Sequence, residues 1–254
     1  MTPLISIQDL RLHAGEQLVA SLDSLQVNAG ECVALVGESG SGKTTSLLAM
    51  LGLTIGLRVT GRISAAGVEV VGAAERDLAR IRGSRLALIS QSPQGALNPT
   101  LRLGTLMKRA LARHGVRGEA ARQRTEEALK SALLDPVLLH RYPHQVSGGQ
   151  AQRFAIALAV ALRAEVILAD EPTSALDVTV QAGIIALLRR LKDEHGTALV
   201  LVSHDLALVS GIADHVVVMR DGRVVESGTA ETVLTRPTEA YTRELLDAVP
   251  VLRR

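Results

Sequence analysis

The 254-residue sequence predicts an α/β domain with antiparallel strands ahead of it and a helical insert within it. Three observations point there. An apolar run, Cys32-Val33-Ala34-Leu35-Val36, leads through a glycine-rich loop into Ser46-Leu47-Leu48-Ala49-Met50-Leu51, which reads as strand, loop and helix. Short apolar runs recur at Leu86–Ile89, Val166–Ala169 and Ala198–Val202, each with the length of a buried strand. Between Gln91 and residue 166 no strand pattern occurs, and helical spacing takes over.

In chain order, Leu4 to Gln26 alternate apolar and polar residues, as paired antiparallel strands do. Residues 58–71 suggest a hairpin turning at Ala65-Ala66-Gly67, and 74–82 a short charged helix. Ser92-Pro93-Gln94-Gly95 and Asn98-Pro99 are loop chemistry. Residues 103–135 read as two helices, broken near His114-Gly115 and Arg117-Gly118 and ended by Asp135-Pro136. A helix over 150–162 follows. Val180, Ile184, Leu187, Leu188 and Leu191 form one helical face. Val216–Met219, the turn Asp221-Gly222 and Arg223–Glu226 make a hairpin, and a short helical tail closes the chain. The expected layout is one domain over 1–254: a core from 1–94 and 163–254, and a helical part over 95–162.

Composition narrows the function classes. Aromatic residues are 1% of the chain, so aliphatic side chains must fill the core and little remains to stack on bases. The net charge is +2, with scattered arginines rather than a basic stripe, so nucleic acid is not an expected partner. The lone cysteine, Cys32, excludes an internal disulfide and sits in a predicted buried strand. The start lacks the charged and apolar regions of a signal peptide. The apolar run from Ala155 to Leu162 is too short to span a bilayer. A soluble protein, or one held at a membrane by partners, is expected.

The loop Gly37-Glu38-Ser39-Gly40-Ser41-Gly42-Lys43-Thr44-Thr45 carries the chemistry. Its glycines let backbone N–H groups turn inward around an anion, and the following helix adds partial positive charge. Lys43 would reach the β- and γ-phosphates of a nucleotide, and the Thr44 hydroxyl would complete a Mg²⁺ shell. The loop in this strand–helix context predicts a P-loop NTPase core. Such a site needs a carboxylate for the metal and a group to activate water. Strand 166–169 delivers Asp170 for the metal and Glu171 for the water at its carboxyl end. Ser147-Gly148-Gly149-Gln150 opens a helix, with Ser147 as N-cap, and makes a second helix end that could meet an anion.

Lys43 with Asp170-Glu171 and Ser147-Gly148-Gly149-Gln150 resembles the ATP-binding cassette (ABC) ATPases over nearly the whole chain. The resemblance implies ATP and Mg²⁺ as cofactors. It implies two chains paired head to tail, with the Ser147–Gln150 signature capping the γ-phosphate held by the other subunit. It assigns Gln91 to the lid that touches Mg²⁺ and water, and His204, beside Asp205, to the γ-phosphate. Ser174 and Asp177 fall in the loop that crosses the dimer interface, although Asp177 also reads as a plain helix cap. His13 takes the place of the aromatic residue on which adenine usually stacks.

Gln91–Pro99, Tyr142-Pro143-His144-Gln145 and the tail Arg236–Leu246 resemble peptide and nickel importers, and the chain's length resembles their shorter, nickel-type ATPase subunit. The implied partners are a second ATPase subunit, two membrane permeases and, through them, an extracytoplasmic substrate-binding protein. The implied place is the cytoplasmic face of the bacterial inner membrane. Three rivals share some of these motifs: a non-transport ATPase subunit of the phosphonate-cleaving type, a nucleic-acid-handling cassette, and a regulatory nucleotide-binding subunit.

Overall fold

The computed structural model describes residues 2–174 and 176–248. The first two strands, β1 (Ile5–Ala14) and β2 (Gln17–Val27), form a long antiparallel hairpin. Next come β3 (Cys32–Val36), α1 (Lys43–Ala49), β4 (Arg58–Ala65), β5 (Val68–Glu69), α2 (Glu75–Ile81) and β6 (Leu86–Ile89). The helical stretch holds α3 (Pro93–Ala96), α4 (Leu103–Arg113), α5 (Gly118–Ser131) and α6 (Gly148–Leu162). The chain then runs through β7 (Val166–Asp170), α7 (Val178–His195), β8 (Ala198–Ser203), α8 (Leu206–Ser210), β9 (His215–Arg220), β10 (Arg223–Thr229), α9 (Ala230–Thr235) and α10 (Ala240–Asp247).

One ten-stranded sheet runs β5-β4-β1-β2-β10-β9-β3-β8-β7-β6. β6, β7, β8, β3 and β9 are mutually parallel, whereas β1, β2, β4 and β5 pair antiparallel. The two halves meet at a single residue pair, Arg223 with Ser21. The parallel strands are apolar along their whole length because both of their faces are covered. On β3, Cys32, Ala34 and Val36 enter one core and Val33 and Leu35 the other. Burial drives the Cys32 thiol up to about 12, with the charge of Asp214 adding, so it is an inert core residue.

The helical stretch has no separate core. Leu103, Met107, Ala128, Leu129 and Phe154 pack in the same cluster as Ala34, Val36, Ile167 and Leu201 of the sheet. The antiparallel strands cover the other face, with Leu47 and Met50 of the α1 segment beneath Ile7, Leu22 and Val200. In β1, Ile5 and Ile7 alternate inward, but Leu10 and Leu12 share their face. A bulge between Gln8 and Arg11, with Asp9 at φ 48°, supplies the extra residue that restores the register.

The structure departs from the expected elements in a few places. α1 starts at Lys43 rather than Ser46, because the loop closes directly onto the first turn. α5 ends at Ser131, and Asp135 instead caps a 3-10 turn over Pro136–His140 by accepting from the Val137 N–H at 2.8 Å. A second 3-10 turn covers Pro143–Gln145. The tail is two helices, α9 and α10, and the short α3 and α8 occupy stretches without a helical expectation.

Candidate functional site

The phosphate loop is held in shape from below. Gly37 has φ 142°, and a Cβ there would lie 2.0 Å from the Met219 carbonyl oxygen, so only glycine fits. Gly42, at φ 95°, is the N-cap of α1, and a Cβ there would meet the Val19 carbonyl at 2.7 Å. Among the described residues no side chain caps α1, so its first N–H groups are free to meet an anion. Lys43 is buried and lies along the loop. Its Nζ donates to Gly37 O at 2.8 Å, Glu38 O at 2.6 Å and Ser41 Oγ at 3.1 Å. Burial lowers its pKa, opposed by the charges of Glu171, Asp170 and Glu38.

Three parallel strands deliver polar groups to the mouth of this loop. Asp170 ends β7, and its Oδ1 accepts from the Thr44 hydroxyl at 2.8 Å. Burial raises the Asp170 pKa and the Glu171 charge adds to this, against the Thr44 hydrogen bond and the Lys43 charge. Glu171 sits in the left-handed region at φ 44°, with its N–H donating to Val202 O at 3.0 Å. That turn brings its carboxylate between two neighbours. Oε2 accepts from Gln91 Nε2 at 3.2 Å, and Oε1 lies 3.2 Å from His204 Nδ1. Gln91 follows β6 and His204 follows β8, so carboxyl ends of adjacent strands build the cluster. Val19, Ser39, Gly40, Gly42, Lys43, Thr44, Thr45, Gln91, Glu171 and His204 line one cavity of about 540 Å³.

The signature lies elsewhere. Ser147 caps α6 by accepting from the Gln150 N–H at 3.2 Å, and Gln150 Oε1 accepts from the Ser147 N–H at 3.0 Å. Gly149 lets this helix end rest on α7, since a Cβ there would come within 2.6 Å of Val180 Cγ1. Ser147, Gly149 and Gln150 line a second cavity of about 650 Å³ with Arg141, Arg153 and Val180. The two cavities have no residue in common. A profile of the family described as ABC transporter matches residues 22–174, which spans the phosphate loop, the signature and Asp170-Glu171.

The chain belongs to the ABC transporter family, as an ATPase cassette. It is 43% identical over 258 residues to the peptidoglycan transport ATP-binding protein YejF of Agrobacterium fabrum, covering 98% of this chain and 47% of that protein. It spans about half the length of that relative. It is 39% identical over 267 residues to the oligopeptide transport ATP-binding protein OppD of Haemophilus influenzae, covering 99% of this chain and 80% of that one. A solved dimeric ATP-binding cassette in a post-hydrolysis state, bound to ADP and phosphate, superposes with a TM-score of 0.78. It is 29% identical and covers 89% of this chain and 98% of its own.

Within this ABC cassette the remaining expected residues fall as follows. His13 lies near the end of β1, opposite Leu18 and Arg58, just past a register shift at Leu12/His13. It does not line the phosphate cavity, whereas Val19 on the neighbouring strand does. Its Nδ1 is buried without a hydrogen-bond partner among the described residues. Ser174 Oγ donates to Glu171 O at 3.2 Å, and Asp177 caps α7 by accepting from the Val180 N–H at 3.0 Å. Ala175 between them lies outside the described residues. Val19 is the lining residue that sequence reasoning missed, because only the packing of β2 against the start of α1 sets it over Gly42.

Proposed function

We propose that this chain is the ATP-hydrolysing subunit of a peptide importer in the bacterial cytoplasmic membrane, working as half of a two-subunit site. The observation that carries the reading is the split of polar groups between two cavities. The phosphate loop, Glu171, Gln91 and His204 share one, with Asp170 bonded to Thr44 at its edge, and Ser147, Gly149 and Gln150 line the other. A signature helix end placed away from the chain's own phosphate loop fits the head-to-tail pairing that the family resemblance implies, in which it would meet a nucleotide held by another subunit.

In this reading the loop Gly37–Thr45 wraps the phosphates, and Lys43 keeps its bond to Gly37 O while it exchanges Glu38 O and Ser41 Oγ for the β- and γ-phosphates. Thr44, Asp170 and Gln91 would hold Mg²⁺; their oxygens suit a hard cation, and the raised pKa of Asp170 marks a carboxylate that a cation would relieve. The metal would neutralise charge on the β- and γ-phosphates. Glu171 takes a proton from water as its oxygen attacks the γ-phosphorus, the bond to the leaving ADP oxygen breaks, and ADP and phosphate form. His204 orients Glu171 and faces the γ-phosphate, and Gln91 spans between Glu171 and the helical stretch. His13 would stack on the base more weakly than an aromatic ring. Ser174 and Asp177 would cross to the second subunit, whose Ser147–Gln150 caps the γ-phosphate.

The partners are a second ATPase subunit, identical or paralogous, two permeases, and through them an extracytoplasmic binding protein, with no nucleic acid. No helix among the described residues is long and apolar enough to cross a membrane, which fits attachment to the cytoplasmic face through the permeases. The transport names of the relatives favour peptides as cargo over nickel. The test is paired. Glu171→Gln should keep ATP affinity within about twofold and lose at least ~100-fold in hydrolysis, the scale of a general base. Turnover near wild type would overturn the assignment of the base. Capture of membrane permeases by the tagged chain would support the transport role, and capture of a soluble complex alone would contradict it.

A further inference from the structure

The C-terminal helix reaches the phosphate loop through one hydrogen bond. The Glu38 N–H donates to the hydroxyl of Tyr241, on α10, at 3.1 Å across 203 positions of sequence. The peptide unit involved is the one between Gly37 and Glu38. Its carbonyl, Gly37 O, accepts from Lys43 Nζ at 2.8 Å. This single peptide is therefore gripped at both ends, its C=O by the phosphate-seeking lysine and its N–H by Tyr241. Glycine at position 37 leaves the adjoining backbone torsions soft. The close approach to the Met219 carbonyl fixes where the glycine sits, not which way the next peptide faces.

Tyr241 is well placed to hold that orientation. The residue is only 6% exposed, and the Arg220 guanidinium lies 4.6 Å from its ring centroid. Burial raises its pKa, so the hydroxyl stays neutral and remains an acceptor for the N–H. The approach to α10 is tied down too. The Glu226 carboxylate on β10 accepts from the Thr238 N–H at 2.8 Å, the Thr238 hydroxyl at 2.9 Å and the Glu239 N–H at 3.3 Å.

We infer that Tyr241 is a positioning residue of the nucleotide site: by fixing the Gly37–Glu38 peptide it presets the loop and its lysine for phosphate, and it makes α10 part of that site. The inference rests on the nucleotide reading above. Without Tyr241's hydroxyl the partly buried N–H loses its acceptor, and the peptide is free to rotate away from Lys43.

Tyr241→Phe keeps the ring and its packing while removing the acceptor. The expected result is a KM for ATP and a Kd for a fluorescent ATP analogue raised roughly fivefold to tenfold, the scale of one hydrogen bond. The expected kcat stays within about twofold, and the melting temperature within about 2 °C. A role in packing alone would leave the Phe variant like wild type and weaken only Tyr241→Leu; unchanged KM and Kd in the Phe variant would therefore overturn the inference. Failure of the wild-type chain to bind the analogue at all would instead sink the nucleotide reading.

Discussion

Two helices of this chain begin beside a cavity, and their N-termini are finished in opposite ways. At α1 the cap is Gly42, which offers no side chain, and the N–H groups of the first turn are left for a ligand. At α6 the cap is Ser147, which with Gln150 satisfies two of those groups reciprocally. The difference separates a primary site from a conditional one. An uncapped, glycine-lined end has unmet hydrogen-bonding capacity, so an anion gains the full interaction there. A capped end has already met part of its need, and an anion must rearrange the cap or add to it. The loop before α1 should bind nucleotide in a lone chain, while the end of α6 should matter only when another subunit presents a nucleotide to it.

The largest effect that would break this contrast is at Lys43. Lys43→Ala removes the buried cation that faces the cavity, and nucleotide affinity measured by fluorescence titration should fall at least ~100-fold, the scale of two charge-assisted bonds. A change below threefold would mean that the uncapped helix end suffices. A smaller effect is expected at the capped end. Ser147→Ala should leave the affinity of a dilute chain within twofold, cost about 1 kcal/mol of stability through the lost cap, and lower hydrolysis at high protein concentration by ~10-fold. Loss of affinity in the dilute chain would erase the distinction between the two helix ends.

The smallest effect is a baseline at neither end. Arg85 forks onto Glu165 with bonds of 2.7 and 2.8 Å, joining the start of β6 to the start of β7. Hydrogen bonding from Arg85 holds the Glu165 carboxyl below its ordinary 4.5, against the upward push of burial. A depressed folded value means that folding favours the ionised form. The stability is thus fully present above pH 4.5 and is lost as the pH falls through the lower folded value. The pair is partly exposed, so Glu165→Gln should cost only about 0.5–1 kcal/mol in denaturant melts at pH 7, a cost that shrinks on acidification, with nucleotide affinity unchanged.

What could be read from the sequence was what is encoded over a few residues. The phosphate loop, Asp170-Glu171 and Ser147–Gln150 depend on spacing within one turn or strand end, and the structure sets them at the expected strand and helix termini. The convergence of Gln91, Glu171 and His204 could be anticipated because each ends a parallel strand, and strand ends share one edge. His13 resisted this treatment. Its placement depends on two bulges in β1 and on pairing with β4, and a shift of one residue moves a side chain to the other face. Tyr241 was legible as part of a tail helix, but its bond to Glu38 exists only once β9, β10 and α10 are folded against the loop. The 3-10 turns before α6 carry helix-cap signals and no period long enough to declare themselves.

The contrast between the two helix ends is tested most directly by amide hydrogen exchange on the dilute chain with and without saturating ADP. The account predicts slowed exchange across Gly40–Thr45 and no change across Ser147–Gln150. Protection at Ser147–Gln150 in the dilute chain, or none at the phosphate loop, would contradict it.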